Sequence, residues 1–238
     1  RRLRLSLWVT AAFIVVEFAA GIRANSLALL SDAGHNFTDA LALGLALFAH
    51  RIGGLPPSAS KTYGYKRAGV LAAFVNALVL VALSLLIFWE SYDRFLNPRE
   101  VQDTIMLVVA GAGLVVNLVV MKALHGDSHH DLNVRGAYMH MLGDALSSVG
   151  IIIGALFIRQ TNALWIDPLL SVLIGVLIIW SAWDVIRESL DILLEGAPRS
   201  IKLEEVSGAL REVEGVIDIH DLHIWSLSSA DHALSCHA

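Results

Sequence analysis

The amino-acid sequence predicts a polytopic α-helical membrane protein, with six transmembrane helices followed by a small α+β cytosolic domain. Hydrophobic residues make up 56% of the 238-residue chain, and charged residues only 16%. The mean hydropathy of +0.64 is typical of membrane proteins rather than of soluble domains. The apolar residues also fall into separate runs, each long enough to cross a bilayer, which takes about 20 residues.

Six such runs are separated by short connections that contain Gly, Pro or Asn, the residues expected in turns. The predicted transmembrane helices are Leu3–Ile22, Leu27–Ala49, Ala68–Trp89, Thr104–Leu124, Val134–Ile158 and Ile166–Ile186.

Lysine and arginine predict how these helices are oriented. If both termini lie on one side, that side carries nine such residues before the sixth helix and the opposite side carries four. The nine are Arg1, Arg2, Arg4, Arg51, Lys61, Lys66, Arg67, Lys122 and Arg135, and the four are Arg23, Arg94, Arg99 and Arg159. Because the cytoplasmic side is the more positive one, both termini are predicted to be cytoplasmic. We expect a multi-pass protein of the cell membrane, surrounded by lipid.

The character of the chain changes after the sixth helix, so we predict a transmembrane domain over residues 1–194 and a cytosolic domain from 195 to 238. In the second part, helical spacing predicts a helix over Ser200–Val213, with Ser200 as its N-cap. Alternating β-branched residues predict a strand over Val216–Ser226. A turn at Ser228–Asp231 and a second strand over His232–His237 follow.

Several protein classes are disfavoured by the sequence. The net charge of −5 gives no basic surface for nucleic acid. The single cysteine, Cys236, excludes a disulfide within the chain. The sequence lacks the HExxH motif of metalloproteases, the Walker lysine of ATP-binding proteins and the GxSxG motif, so none of these enzyme classes is indicated. Because the chain begins at Arg1 without a methionine and stops within a predicted strand, we expect further residues at both ends of the protein.

Two His-Asp pairs with the same spacing carry the functional argument. His35 and Asp39 lie in the second predicted helix, and His140 and Asp144 lie in the fifth. Residues four apart share a helix face, so each pair points in one direction. Ionisable residues are costly inside a membrane and usually mark a functional path. Two imidazoles and two carboxylates would complete a tetrahedral ligand set for zinc. The alternative is that the pairs only form hydrogen bonds between helices.

Other polar residues of the predicted helices leave alternatives open. Asp32 is either a carboxylate that orients an imidazole or a polar group near the helix entrance. Glu17 either lines an ion path or is structural. Asn36 and Asn76 are interpreted as packing or cavity-lining amides, and Glu90 as a structural residue at the membrane interface.

Further histidines lie outside the predicted helices. His125, His129 and His130 occupy a loop with Asp127 and Asp131, which either collects metal or is a solvated polar loop. In the cytosolic part, strand alternation places His220 and His223 on opposite faces. His237, on the next strand, could reach one of them, either in a regulatory metal site or as an exposed histidine.

At these residues the chain resembles the cation diffusion facilitator family, and within it the zinc-transporting branch. The resemblance covers nearly the whole chain and rests on Ser26–His35, His140–Asp144, Leu194–Gly196 and His220–Leu227, with the paired HxxxD motif as the most specific element.

The resemblance implies a two-fold homodimer that exchanges cytosolic zinc for protons, with a ferredoxin-like cytosolic domain. It implies a transport site at His35, Asp39, His140 and Asp144, and a cytosolic zinc site that includes His220 and His237. In this family, a set of two histidines and two aspartates goes with zinc.

Physical chemistry suggests how such a site would work. Its ligands must lose protons before they bind metal, so zinc and protons compete. An ordinary imidazole titrates near a pKa of about 6.5, close to physiological pH. We therefore predict proton-coupled zinc export by alternating access, without enzymatic chemistry. The rival interpretations are a membrane metalloenzyme with a zinc-activated water, and a passive channel or metal sensor.

Overall fold

A computed structural model of the chain describes residues 2–124, 132–228 and 231–238. This part of the chain forms six long helices, one short helix and a β-hairpin. The elements are α1 (Arg2–Ala24), α2 (Leu27–Gly53), α3 (Ala68–Leu96), α4 (Asp103–Leu124), α5 (Leu132–Thr161), α6 (Ile166–Leu193), α7 (Leu203–Arg211), β1 (His220–Ser226) and β2 (His232–His237).

The six long helices begin close to where the apolar runs begin, but most of them extend beyond the predicted ends. Helix α3, for example, continues from the predicted end at Trp89 to Leu96. Its last turns are polar, and the Nε of Arg94 donates to Oε1 of Glu90 at 3.1 Å. Such i,i+4 pairs support a helix after its apolar run has ended.

Four segments are long and apolar enough to cross a membrane, among the residues that the structure describes. They are Ala68–Leu96, Asp103–Lys122, Tyr138–Thr161 and Ile166–Leu193. Helix α2 is not among them, and its Asp32, His35 and Asp39 lower its hydropathy. The chain is thus a multi-pass membrane protein, while the number of six spans stays a prediction. Large apolar side chains such as Trp89, 76% exposed, cover the outside of the helices, as lipid contact requires.

The chain divides into two compact units. The first comprises residues 1–40 and 80–180, and contains α1, α4 and α5 with parts of α2, α3 and α6. Inside it, α4 packs against α5 and α1. Its interior is rich in small side chains, which let membrane helices approach closely. These include Ala24, Ala28, Ala33, Ala110, Ala155, Ser26, Ser31, Ser84, Ser91, Ser148 and Ser171.

The turn between α1 and α2 fixes where α2 begins. Asn25 adopts a left-handed conformation with φ of 51°, which asparagine tolerates better than most residues. The Ser26 amide donates to the carbonyl of Gly21 at 3.0 Å, and the Asn25 amide donates to that of Ile22 at 3.1 Å. This pair of bonds is a Schellman motif, which satisfies the last carbonyls of α1. Helix α2 therefore starts two residues after Asn25.

The second unit comprises residues 41–79 and 181–238 and contains α7 and the hairpin. Strands β1 and β2 pair antiparallel, with His220 opposite His237 and Ser226 opposite His232. The predicted second strand is confirmed in full. The first strand begins at His220 rather than at Val216. The described part contains one helix and two strands of this domain, so the ferredoxin-like fold stays a prediction.

The hairpin turn is held by side chains. The Asp231 amide donates to Oγ of Ser228 at 3.0 Å, as expected for the predicted turn. The Lys66 ammonium donates to Oδ1 of Asp231 at 2.9 Å, and this bond lowers the pKa of the Asp231 carboxyl.

The predicted helix cap at Ser200 is wrong. Helix α7 begins at Leu203, and the residue before it, Lys202, forms no side-chain cap. The Ile201 amide donates to the carbonyl of Pro198 at 3.0 Å, so Ser200 lies within a turn. Two acidic residues lie in the first turn, Glu204 and Glu205, and their negative charges stabilise the helix by interacting with its dipole.

Candidate metal centre

Helices α2 and α5 bring the two His-Asp pairs together in the first unit. His35 and Asp39 lie on one face of α2, and His140 and Asp144 lie on one face of α5. The imidazole rings of His35 and His140 are 6.0 Å apart between centroids, inclined at 72°. The four residues singled out by their spacing in the sequence thus converge on one place.

Each imidazole lies close to both carboxylates. Nε2 of His35 is 3.5 Å from Oδ2 of Asp39 and 3.9 Å from Oδ1 of Asp144. Nε2 of His140 is 3.3 Å from Oδ2 of Asp39 and 3.6 Å from Oδ2 of Asp144. In a tetrahedral zinc site, ligand bonds of about 2.0–2.2 Å place neighbouring ligand atoms about 3.4 Å apart. The four distances lie near that value, and all exceed about 3.2 Å, the usual upper end for an N–H···O hydrogen bond.

Two buried atoms of this cluster have no hydrogen-bond partner among the residues that the structure describes. They are Nδ1 of His35 and Oδ2 of Asp39. Buried polar atoms normally have partners, and an exception needs an explanation, such as an ion. The Asp39 oxygen is the one that faces both imidazoles, so it is placed to become a metal ligand.

The cluster fits a divalent transition metal in its donor types. The ligand atoms of His35, His140 and Asp144 all lie within 4.8 Å of one another. Asp39 is outside that group of three but faces both of its imidazoles. Nitrogen and carboxylate donors suit zinc and its neighbours in the first transition row. The side chain of Asp144 is 7% exposed and that of His140 is 42% exposed, so the cluster is enclosed on one side and open on the other.

A second group of polar residues lies beside the cluster. The Ser147 hydroxyl on α5 donates to Oδ1 of Asp32 on α2 at 2.7 Å. The Asn36 amide donates to Oε2 of Glu17 on α1 at 3.0 Å. The interpretation of Asp32 as an orienting carboxylate is wrong for Nδ1 of His35, because Asp32 does not bond that atom, which has no partner in the described part of the chain. Asp32 is buried, lies five residues after the start of α2 and links α2 to α5, so its position near the helix entrance stays an open interpretation.

The start of α2 is anchored by a residue that the sequence analysis did not identify. Asp167, in the first turn of α6, is fully buried. Its carboxylate accepts hydrogen bonds from the Ser26 hydroxyl at 2.6 Å and the Leu27 amide at 2.7 Å. The guanidinium of Arg94 lies 3.6 Å away. A negative charge at a helix N-terminus is favourable, so Asp167 caps α2 from another helix. An ionisable residue in an apolar run is the signal that could have found it.

In the second unit, three residues of the hairpin form another cluster of donors. The rings of His220 and His237 are 5.2 Å apart, and Nδ1 of His237 is 3.4 Å from Oδ2 of Asp221. The ligand atoms of the three lie within 4.8 Å of one another, and all three side chains are exposed. His237 therefore reaches His220, one of the two predicted possibilities.

The simple alternation predicted for this strand is interrupted. Asp221 has a φ of 53°, and the strand register shifts between His220 and His223. A bulge of this kind redirects the neighbouring side chains. It places Asp221 beside His237, whereas His223 pairs with Ser235. Asp221 was not predicted, because period-two spacing does not anticipate a bulge.

The other predicted positions are the histidine-containing loop after α4, Glu90 and Asn76. The loop with His125, His129 and His130 lies outside the described residues. Glu90 is structural as predicted, since Arg94 and Arg99 each approach its Oε1 to 3.1 Å. Asn76 is buried, and its Oδ1 has no hydrogen-bond partner in the described part of the chain.

Imidazoles and carboxylates that converge among the helices of a membrane protein usually mark a path for ions, so the fold and the cluster are typical of ion transporters. Comparison with known proteins makes this class specific. The family model of the cation efflux transmembrane domain matches residues 3–194. The family model of the cation efflux protein cytoplasmic domain matches residues 198–238. The chain belongs to the cation efflux family, the cation diffusion facilitators, and is a membrane transporter rather than an enzyme.

Three relatives illustrate the similarity. The cadmium, cobalt and zinc/H(+)-K(+) antiporter of Bacillus subtilis (strain 168) is 42% identical over 99% of this chain and 76% of the relative. The zinc transporter ZitB of Escherichia coli (strain K12) is 44% identical over 94% of this chain and 72% of the relative. The metal cation efflux system protein CzcD of Cupriavidus metallidurans is 41% identical over the full chain and 75% of the relative.

Proposed function

We propose that the protein exports zinc from the cytoplasm in exchange for protons, by alternating access at His35, Asp39, His140 and Asp144. The observation that carries this proposal is the set of four nitrogen–oxygen distances of 3.3–3.9 Å among these residues of α2 and α5, two of which join the two helices. They have the size of the edges of a zinc tetrahedron. Zinc is the transported substrate in this proposal.

The names of the relatives support both parts of the proposal. One relative is named a zinc transporter, and another is named an antiporter of cadmium, cobalt and zinc with protons and potassium. Identities of 42–44% over most of the chain favour a shared cargo and a shared type of coupling.

Proton coupling follows from the chemistry of the ligands. Zinc binds neutral imidazole and ionised carboxylate, so each zinc that enters displaces protons from the ligands that hold them. On the acidic side of the membrane, protons compete for the same nitrogen atoms and favour release of zinc. An inward proton gradient then drives zinc outward, and no covalent step is required.

The finer architecture belongs to the same proposal. We place six spans in the cell membrane, with both termini in the cytoplasm. We divide the chain into a transmembrane domain over residues 1–194 and a cytosolic ferredoxin-like domain that begins at residue 195. The match to the cytoplasmic domain of this family supports a homodimer.

The rival functions make different demands on the site. A zinc enzyme needs an open coordination position for water, and four protein ligands leave none in a tetrahedron. A passive channel would carry zinc down its electrochemical gradient without proton exchange.

A flux measurement tests the proposal against both rivals. The purified protein is reconstituted into lipid vesicles, and zinc uptake is followed with and without an acidic interior. We expect the acidic interior to accelerate uptake, and a protonophore to cancel that acceleration. A zinc uptake rate that does not depend on the pH gradient would indicate a channel, and no zinc uptake at all would contradict transport.

We also propose that His220, Asp221 and His237 bind a zinc ion in the cytosolic domain. Three donors from one hairpin would leave a fourth position for water or for another residue. Because these residues lie on the cytosolic hairpin, loss of this zinc should alter regulation and leave transport possible.

The double variant His220→Ala with His237→Ala is expected to bind about one zinc fewer per chain than the wild type. Calorimetric titration of the whole protein measures this number. His223→Ala is the matched control, because it removes an exposed histidine of the same strand that is not in the cluster. An unchanged stoichiometry in the double variant would remove the cytosolic site from the proposal.

A further inference from the structure

The metal cluster is more exposed on one side than on the other. On α2, the side chain of Asp39 is 29% exposed, and that of His35, one turn nearer the start of the helix, is 21% exposed. On α5, His140 is 42% exposed, and Asp144, one turn nearer the end of the helix, is 7% exposed. Both directions lead to the same end of the unit, because Asp167, shortly after α5 ends, binds the start of α2.

The less exposed side is filled by closely packed helices. At Gly113 of α4, an added Cβ would lie 2.9 Å from the Phe13 ring of α1 and 3.5 Å from Oγ of Ser148 on α5. Residues of α2 before His35 and of α5 after Asp144 are buried here, among them Ala28, Leu29, Ala33, Ser148, Ile151 and Ala155. An ion cannot cross packing of this density unless the helices part.

A short hydrogen bond joins α2 and α5 on this closed side of the cluster. The Ser147 hydroxyl donates to Oδ1 of Asp32 at 2.7 Å. Ser147 lies three residues after Asp144, and Asp32 lies three residues before His35, so the bond lies about one helical turn beyond the metal ligands. Separation of α2 from α5 at this level breaks the bond.

We propose that the Asp32–Ser147 bond closes the outer gate of the transport site. It holds α2 and α5 together while the cluster is open to the cytoplasm, and it breaks when the cluster opens to the opposite side. This inference rests on the proposed function, in which both termini are cytoplasmic. Helix α2 then ends and α5 then begins at the cytoplasmic side, which is the side where the cluster is exposed.

The bond affects the balance between the two states. In the closed state Asp32 is buried, so loss of the Ser147 hydroxyl leaves a buried acceptor without this partner. In the open state, water reaches both positions and takes the place of the lost group. Loss of the bond therefore penalises only the closed state and shifts the population toward the open one. One ordinary hydrogen bond corresponds to a shift of about 3- to 10-fold.

The reactivity of a buried cysteine measures this shift without a transport assay. Ile151 is fully buried and shares a face of α5 with Asp144 and Ser147. The reporter protein carries Ile151→Cys, and Cys236→Ser removes the native thiol. A water-soluble maleimide is added to the purified protein in detergent. We expect Ser147→Ala to accelerate labelling of the reporter about 3- to 10-fold.

Two further variants separate the gate from general loosening of the helices. Ser147→Thr retains a hydroxyl donor, so its labelling rate should stay close to that of the reporter protein. Ser31→Ala is the matched control, because the buried Ser31 hydroxyl donates to the Leu27 carbonyl of its own helix at 2.7 Å. Its labelling rate should also be unchanged. Alanine favours a helix more than serine does, and an unchanged zinc stoichiometry of Ser147→Ala verifies that the cluster is intact.

Two results would overturn the inference. One is a labelling rate of Ser147→Ala equal to that of the reporter protein. The other is an equal acceleration in Ser31→Ala, which would show that loss of any buried hydroxyl loosens the helices. Failure of the proposed function is distinguishable, because it would appear as absent zinc flux in the wild type whatever the labelling rates.

Discussion

Asp144→Asn is expected to abolish zinc-driven proton exchange while leaving a folded protein in the membrane. Asp144 is the most buried member of the metal cluster, and its two oxygens face the imidazoles of His35 and His140 at 3.9 and 3.6 Å. The amide has nearly the same shape but removes a negative charge from the site. Loss of partners outside a metal's ligands already costs about 10–100-fold in affinity, so loss of a ligand should exceed that.

Zinc flux into vesicles and zinc affinity by calorimetry measure this effect. Asp93→Asn is the matched control, since Asp93 lies on α3 and is paired with Arg99 at a partly exposed position. It should retain flux and affinity. Wild-type flux in Asp144→Asn would remove this residue from the transport site.

Asp167→Ala is expected to have the largest effect on stability. Its fully buried carboxylate accepts bonds from Ser26 and the first amides of α2, and it lies near the Arg94 guanidinium. Removing one partner of a buried ion pair costs about 3–5 kcal/mol, because the other charge remains uncompensated. Loss of the cap adds about 1 kcal/mol. Since α2 carries His35 and Asp39, the metal cluster should be disturbed with it.

Thermal unfolding in detergent measures this loss, with Asp93→Ala as control. The control removes only exposed contacts of Asp93 with Arg99 and Asn97, which should cost less than about 1 kcal/mol. An unfolding transition of Asp167→Ala equal to that of the wild type would show that the cap contributes nothing to stability.

Periodicity and composition predicted the helices, and residue spacing identified the four proposed ligands of the transport site. The apolar runs located the beginning of every long helix, because burial in lipid demands continuous hydrophobicity. The repeated spacing of His35 with Asp39 and of His140 with Asp144 placed each pair on one face. The structure adds that the two faces meet.

Features that depend on distant partners could not be predicted. Asp167 stands out as an ionisable residue in an apolar run, but its partner lies 140 residues away in sequence, so its role as a cap of α2 could not be predicted. Asp221 joins the cytosolic cluster only because a bulge interrupts β1. The helix after residue 198 begins later than predicted, because a turn takes Ser200 out of the capping position.

The number of protons released per zinc bound tests the central claim most directly. It is read in weakly buffered solution at saturating zinc, for the wild type and for His140→Ala. Zinc binds neutral imidazole and ionised carboxylate, so it must displace any protons that its ligands hold, and its affinity should fall on acidification. We expect clear release from the wild type, and a smaller release from the variant because one ligand that competes for protons is gone. A release near zero in the wild type, or an equal release in both proteins, would contradict proton-coupled exchange through these histidines.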